Sequence, residues 1–181
     1  MADEGKRTAI IGVVTASDRA SIGLYEDLSG PAIMAYLSRV LKSPFHIVRK
    51  IIPDGFESVR DTLIELADKE HCDLILTTGG TGPSPRDLTP EATEAAAPRV
   101  LPGFGELMRK VSLEQVPTAI LSRQIAAHRG PCLIINLPGK PASIEVCLNA
   151  VFPAVPYCLD LIGAATIETD PAVLKSFRPK Q

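Results

Sequence analysis

The sequence predicts an α/β fold, a single-domain three-layer sandwich with a mostly parallel, doubly wound central sheet. Three observations predict it. Short β-branched or leucine-rich runs (TAIIGVVT, LILTT, LIINL) are apolar throughout, as strands covered on both faces must be. Helix-length amphipathic stretches alternate with them, which calls for right-handed crossovers between parallel strands. Loops rich in Gly, Pro and Asp follow the strands directly, where open α/β sheets bind their ligands.

Residues 8–15 read as the first strand, and Pro31 opens a helix through about residue 41, with Ser29 or Gly30 as its cap. Residues 45–52 form a second strand, followed by a helix whose buried face carries Val59, Leu63, Leu66 and Ala67. Residues 74–78 are a third strand running straight into glycines. Thr89-Pro90-Glu91 then starts a helix as cap, first turn and dipole-matched acid. A further helix is expected over 104–113, a fourth strand over 133–137 and a long last helix over 143–161. The segment AILSRQIAAHRG fits helix or strand. The domain is expected to span 8–163, after an N-terminal segment 1–7 and before a surface tail 164–181.

With 181 residues the chain can bury a core without disulfides or metals. Its 45 % hydrophobic and 22 % charged residues are those of a globular protein, and a net charge of −2 excludes a general affinity for nucleic acid or anionic membranes. Any anion must be held by local geometry. The apolar run after the charged N-terminus is too short for a signal core or a membrane span, and no other segment is expected to cross one. Four cysteines without CxxC spacing and three isolated histidines read as reduced thiols and ordinary side chains in a cytoplasmic protein.

Chemistry concentrates in the loops. In TTGGTGPSPRDLTPEA, Gly79, Gly80 and Gly82 permit backbone shapes closed to other residues and leave N–H groups uncovered, while Thr78 and Thr81 add hydroxyls. The stretch is either an anion nest or a tight turn; it is neither a Walker A loop nor GxGxxG. Arg86 and Asp87 are either a phosphate clamp with an Mg2+ ligand or a local ion pair bracing the loop. Asp54 lies in a Pro-Asp-Gly turn after the second strand, where it would share an edge with Asp87. Ser17 and Asp18 follow the first strand, with Asp27, Ser29 and Gly30 beyond, as ligand contacts or as helix caps. Asn136, Pro138, Gly139 and Pro141 surround the fourth strand's end, and Ser122-Arg123 has no assigned partner. No Ser–His–Asp or Cys–His spacing suggests a nucleophilic hydrolase.

Taken together, SDRASIGLYEDLSGP, TTGGTGPSPRDLTPEAT, PGFGELMRKVSLEQVPTAILSRQ, LIINLPGKP and AVPYC resemble the MogA-type molybdenum cofactor biosynthesis proteins, in order from about Ile10 to Leu161. The resemblance implies molybdopterin adenylyltransfer: with Mg2+, the terminal phosphate of molybdopterin attacks the α-phosphate of ATP, releasing pyrophosphate. It implies essential aspartates at Asp54 and Asp87, a phosphate- and pterin-binding loop at Gly79, Gly80, Thr81 and Gly82, a turn at Pro138, Gly139 and Pro141, and the serine of the LSR segment at Ser122. It further implies a homotrimer and transient contact with a molybdate-insertion enzyme. A non-catalytic molybdopterin carrier or scaffold remains the alternative; it would bind the pterin without an ATP-dependent product.

Overall fold

The computed structural model describes residues 7–180, so the N-terminal segment lies, but for Arg7, outside the described residues. In chain order the elements are β1 (Ala9–Ala16), α1 (Asp18–Ser21), α2 (Ser29–Val40), β2 (Phe45–Ile52), α3 (Phe56–Asp68), β3 (Leu74–Thr78), α4 (Thr89–Ala96), β4 (Arg99–Val100) and α5 (Pro102–Leu113). A 3-10 turn (Pro117–Leu121), β5 (Ala126–Arg129), β6 (Cys132–Leu137), α6 (Pro141–Val151) and α7 (Val155–Ile162) complete the chain.

The strands form one six-stranded sheet in the order β2-β1-β3-β6-β5-β4. β2, β1, β3 and β6 are parallel, while β5 runs antiparallel to both β6 and β4. The expected parallel sheet is therefore extended by an antiparallel edge. AILSRQIAAHRG divides between the 3-10 turn and β5, so both readings of it hold in part.

Side-chain alternation splits the core into two layers. Ile11, Val13, Leu74, Leu76, Leu133 and Ile135 meet α2, α5, α6 and α7 on one face. Val14, Ala16, Ile75 and Ile134 meet α3 and α4 on the other, through Val59, Leu63, Leu66, Ala92 and Ala96. Each fully buried aliphatic side chain contributes about 1.5–3 kcal/mol by leaving water, so these two layers hold the sheet without crosslinks. All four cysteines are free thiols.

Two expectations are corrected. The last helix breaks at Phe152–Ala154, a 3-10 turn containing Pro153, because proline offers no N–H to the helical ladder. By length and composition alone, Pro141–Ile162 is apolar enough to cross a membrane; here its apolar residues Ile144, Leu148, Val151, Phe152, Val155 and Leu159 pack in the core. The segment after residue 163 is not simply a surface tail: Ala165 and Ile167 are buried in the first layer, and Asp73 accepts the Ala165 N–H at 2.8 Å.

Candidate functional site

The chain leaves β1 toward β2 on one side and returns to β3 on the other. This reversal opens a crevice at the carboxyl ends of β1 and β3. A cleft of about 240 Å3 occupies it, walled by Ala16, Ser17, Asp27, Thr78, Gly79 and Gly139 among others. A second cleft of about 480 Å3 lies against Thr81, Gly82, Ser122, Gln124, Pro138 and Lys140, with Val116, Leu121 and Val146 as apolar walls. Gly139 lines both clefts, and a Cβ on it would lie 3.6 Å from the Gly79 Cα. The glycine loop and the proline-glycine turn thus form their shared wall.

The glycine loop is held by its carbonyls. Thr89 donates its hydroxyl to Gly79 O at 3.0 Å and its N–H to Gly80 O at 3.0 Å. Arg123 donates its N–H to Thr81 O at 2.8 Å and its Nε to Gly82 O at 2.9 Å. With those carbonyls turned inward, the N–H groups of Gly80, Thr81 and Gly82 donate to no acceptor among the described residues. Gly79 and Gly80 have φ of +94° and +65°, conformations that side chains rarely adopt. Thr89 therefore braces the loop instead of capping α4.

Two carboxylates stand against this loop: a Cβ on Gly80 would lie 3.6 Å from Asp54 Oδ1, and one on Gly82 only 2.8 Å from Asp87 Oδ2. Asp87 Oδ2 accepts the Ser84 N–H at 3.1 Å. Asp54 and Asp18 exchange bonds across the β1 and β2 ends: Asp54 Oδ2 accepts the Asp18 N–H at 2.9 Å, and Asp18 Oδ1 accepts the Asp54 N–H at 3.1 Å. Arg86 does not pair with Asp87. Its Nε and Nη2 donate to the two Asp18 oxygens at 2.7 and 2.9 Å, and Nη2 also reaches Asp54 O at 2.8 Å. Hydrogen bonding to Arg86 holds the Asp18 carboxyl below the usual range. Burial, joined by the negative charges of Asp18 and Asp87, raises that of Asp54.

The remaining sequence-derived residues divide. Ser17 accepts the Ala20 N–H at 3.2 Å as the cap of α1 while lining the smaller cleft. Pro141, the first residue of α6, lines that cleft too. Thr78 is almost fully buried and donates to Pro138 O at 2.7 Å, tying the third strand's end to the turn after β6. Ser122 and Pro138 line the larger cleft. Asn136 is a correction: it is fully buried on β6, with Nδ2 donating to Thr77 Oγ1 at 3.1 Å and Thr93 Oγ1 at 2.9 Å, so it braces β3 and α4 and faces no ligand. Asp27 caps α2 by accepting the Ser29 and Gly30 N–H groups at 3.1 and 3.0 Å.

Sequence reasoning left Arg123 without a partner. Besides the two glycine-loop carbonyls it bonds Asp87 O and pairs with Glu91. It gathers the loop, the Asp87 backbone and the start of α4 from about 35 residues away, and nothing local in the sequence marks that partnership. Gln124, buried in the wall of the larger cleft, was likewise unmarked.

A mainly parallel α/β sheet carries two carboxylates and an inward-braced glycine loop at its switch point. The chain belongs to the family described as "Probable molybdopterin binding domain", whose profile matches residues 12–157. It is 55 % identical over 175 residues to a molybdopterin adenylyltransferase of Helicobacter pylori, covering 97 % of this chain and 99 % of that one. It is 48 % identical over 185 residues to the molybdopterin adenylyltransferase of Escherichia coli, covering 96 % and 95 %. The molybdopterin biosynthesis enzyme MoaB of Thermus thermophilus superposes with a TM-score of 0.80 at 40 % identity, over 89 % of this chain and all of that one.

Proposed function

We propose that this chain is a molybdopterin adenylyltransferase of molybdenum cofactor biosynthesis, transferring AMP from ATP to the terminal phosphate of molybdopterin. The observation that carries the reading is the glycine loop: its carbonyls are anchored inward and its free N–H groups lie between Asp54, Asp87 and two clefts. Full-length similarity to named adenylyltransferases supports it.

In this reading a phosphate oxygen of molybdopterin forms a bond to the α-phosphorus of ATP as the bond to pyrophosphate breaks. Phosphoryl chemistry of this kind needs positioning and charge stabilisation more than a protein nucleophile. The N–H groups of Gly80, Thr81 and Gly82 are preorganised donors for the charge that develops on the phosphoryl oxygens. Arg86 stands at this edge on Asp18, and release from it would free its guanidinium for phosphate.

The donor set fits Mg2+. Among the described residues no three acidic, His or Cys side chains converge as a complete metal cage. One or two carboxylates plus substrate phosphates are what Mg2+ takes, and Asp54 and Asp87 both stand against the glycine loop. Asp54 and Asp87 would hold the ion, which neutralises phosphate charge when bound.

Exposed Leu107, Val116, Ile120 and Leu121 support self-association of the chain, for which a trimer is proposed, with a molybdate-inserting enzyme as downstream partner and the cytoplasm as its location. The test is direct. Purified protein with molybdopterin, ATP and Mg2+ should yield adenylylated pterin by mass, with pyrophosphate released only when all three are present. Pterin binding without that product overturns the reading in favour of a carrier. Light scattering decides the trimer.

A further inference from the structure

Arg123 holds three backbone carbonyls of the candidate site at once. Its N–H donates to Thr81 O at 2.8 Å, its Nε to Gly82 O at 2.9 Å, and its Nη2 to Asp87 O. Glu91, in the first turn of α4, fixes the guanidinium in turn: Nη1 donates to its Oε1, and Nη2 reaches its Oε2 at 3.3 Å. The Arg123 side chain lines neither cleft, although its chain neighbours Ser122 and Gln124 line the larger one. A ligand in either cleft therefore meets what Arg123 holds, and not Arg123 itself.

What it holds is what phosphoryl transfer would use. A peptide group is planar, so fixing Thr81 O also fixes the direction of the Gly82 N–H. Gly82 stands directly against the second carboxylate, since a Cβ on it would lie 2.8 Å from Asp87 Oδ2. One rigid guanidinium thus holds Gly82 O and Asp87 O together, and with them the spacing of that N–H and that carboxylate. We propose that Arg123 is a positioning residue for the transfer, setting the Gly82 N–H and the Asp87 carboxylate in one register by the shape of its guanidinium. The proposal rests on the adenylyltransferase reading. Lysine would keep the charge, but its single nitrogen cannot span two carbonyls and both Glu91 oxygens.

The test compares the full chain with Arg123→Ala, Arg123→Lys and Arg129→Ala. Arg129 is the structural comparator: it bonds the Asp68 carboxylate and Ala96 O at 2.6 to 2.9 Å and lines neither cleft. Pyrophosphate release gives kcat, well below each variant's Tm, and calorimetry gives Kd for ATP and for molybdopterin. Arg123→Ala should lower kcat about 100-fold and leave each Kd within about threefold, because geometry is lost and no ligand contact is. Arg123→Lys should stay at least about tenfold below the parent, and Arg129→Ala within about twofold of it. Amide exchange over residues 84–91, where Asp87 and Thr89 donate within the loop, should speed up about tenfold in Arg123→Ala and not in Arg129→Ala. Parental kcat in Arg123→Ala or Arg123→Lys overturns the proposal, as does an equal kcat loss in Arg129→Ala or unchanged exchange in Arg123→Ala. A parent chain that binds both ligands yet forms no adenylylated product sinks the activity reading, while the exchange contrast still decides whether Arg123 holds the loop.

Discussion

Replacing Gly82 by alanine isolates the position of one carboxylate. The new Cβ would sit 2.8 Å from Asp87 Oδ2, and the obstacle is the tip of a side chain, not main chain. The carboxylate must withdraw by about 0.6 Å to reach ordinary contact, and its 3.1 Å bond from the Ser84 N–H is lost or stretched. Misplacing a group at a reacting centre by about 1 Å costs about a hundredfold in rate, so kcat should fall about 10- to 100-fold. Folding loses about one hydrogen bond, about 1 kcal/mol, and Tm about 2–4 °C. Gly79→Ala is the contrast: its Cβ would meet the Ala16 carbonyl oxygen at 2.2 Å with φ at +94°. Strain and backbone displacement then cost about 2–6 kcal/mol, a Tm loss of about 5–20 °C. The assays are pyrophosphate release for kcat and calorimetry for Tm. A Gly82→Ala enzyme with kcat within twofold of the parent, or with a Tm loss matching that of Gly79→Ala, would refute the reasoning.

Asn136→Ala breaks the bonds to Thr77 and Thr93 inside the protein, and should lower stability by about 2–4 kcal/mol while KM for either substrate stays within twofold, by denaturant titration and steady-state kinetics. Asp54, with a folded pKa raised chiefly by burial, favours folding only while protonated; that contribution is lost as pH rises through the raised value. Asp54→Asn should therefore raise Tm at neutral pH while abolishing turnover, and a Tm below the parent's at pH 7 would contradict it. For the same reason kcat/KM should fall on the acid side at a pH above the ordinary aspartate range, and the fall should move to lower pH as Mg2+ is raised.

Much of this site was legible before the fold was known, because its parts are local. A strand that ends in glycines, an Asp-Gly turn and a Pro-Gly turn each announce themselves through backbone preferences confined to a few residues. Periodicity likewise separated β1, β2, β3 and β6 from the helices between them. β4 and β5 escaped because a two-residue edge strand and a four-residue partner carry too little pattern to count. Asn136 was misjudged for a different reason. The sequence places it at a strand end among ligand-facing loops, but strand alternation turns its side chain inward, toward hydroxyls on two other elements.

The sequence alone determined the layered α/β architecture, the loops at the strand ends and the places of Asp54 and Asp87 within them, since each depends on neighbours along the chain. Only the tertiary structure decided who braces whom. Arg86 turned to Asp18 and not to adjacent Asp87, Arg123 closed the glycine loop from a distant segment, and Gln124 was left with an oxygen unpaired. Long side chains choose partners by the three-dimensional positions of carbonyls and carboxylates, and those positions exist only once the sheet has brought separate strand ends to one edge.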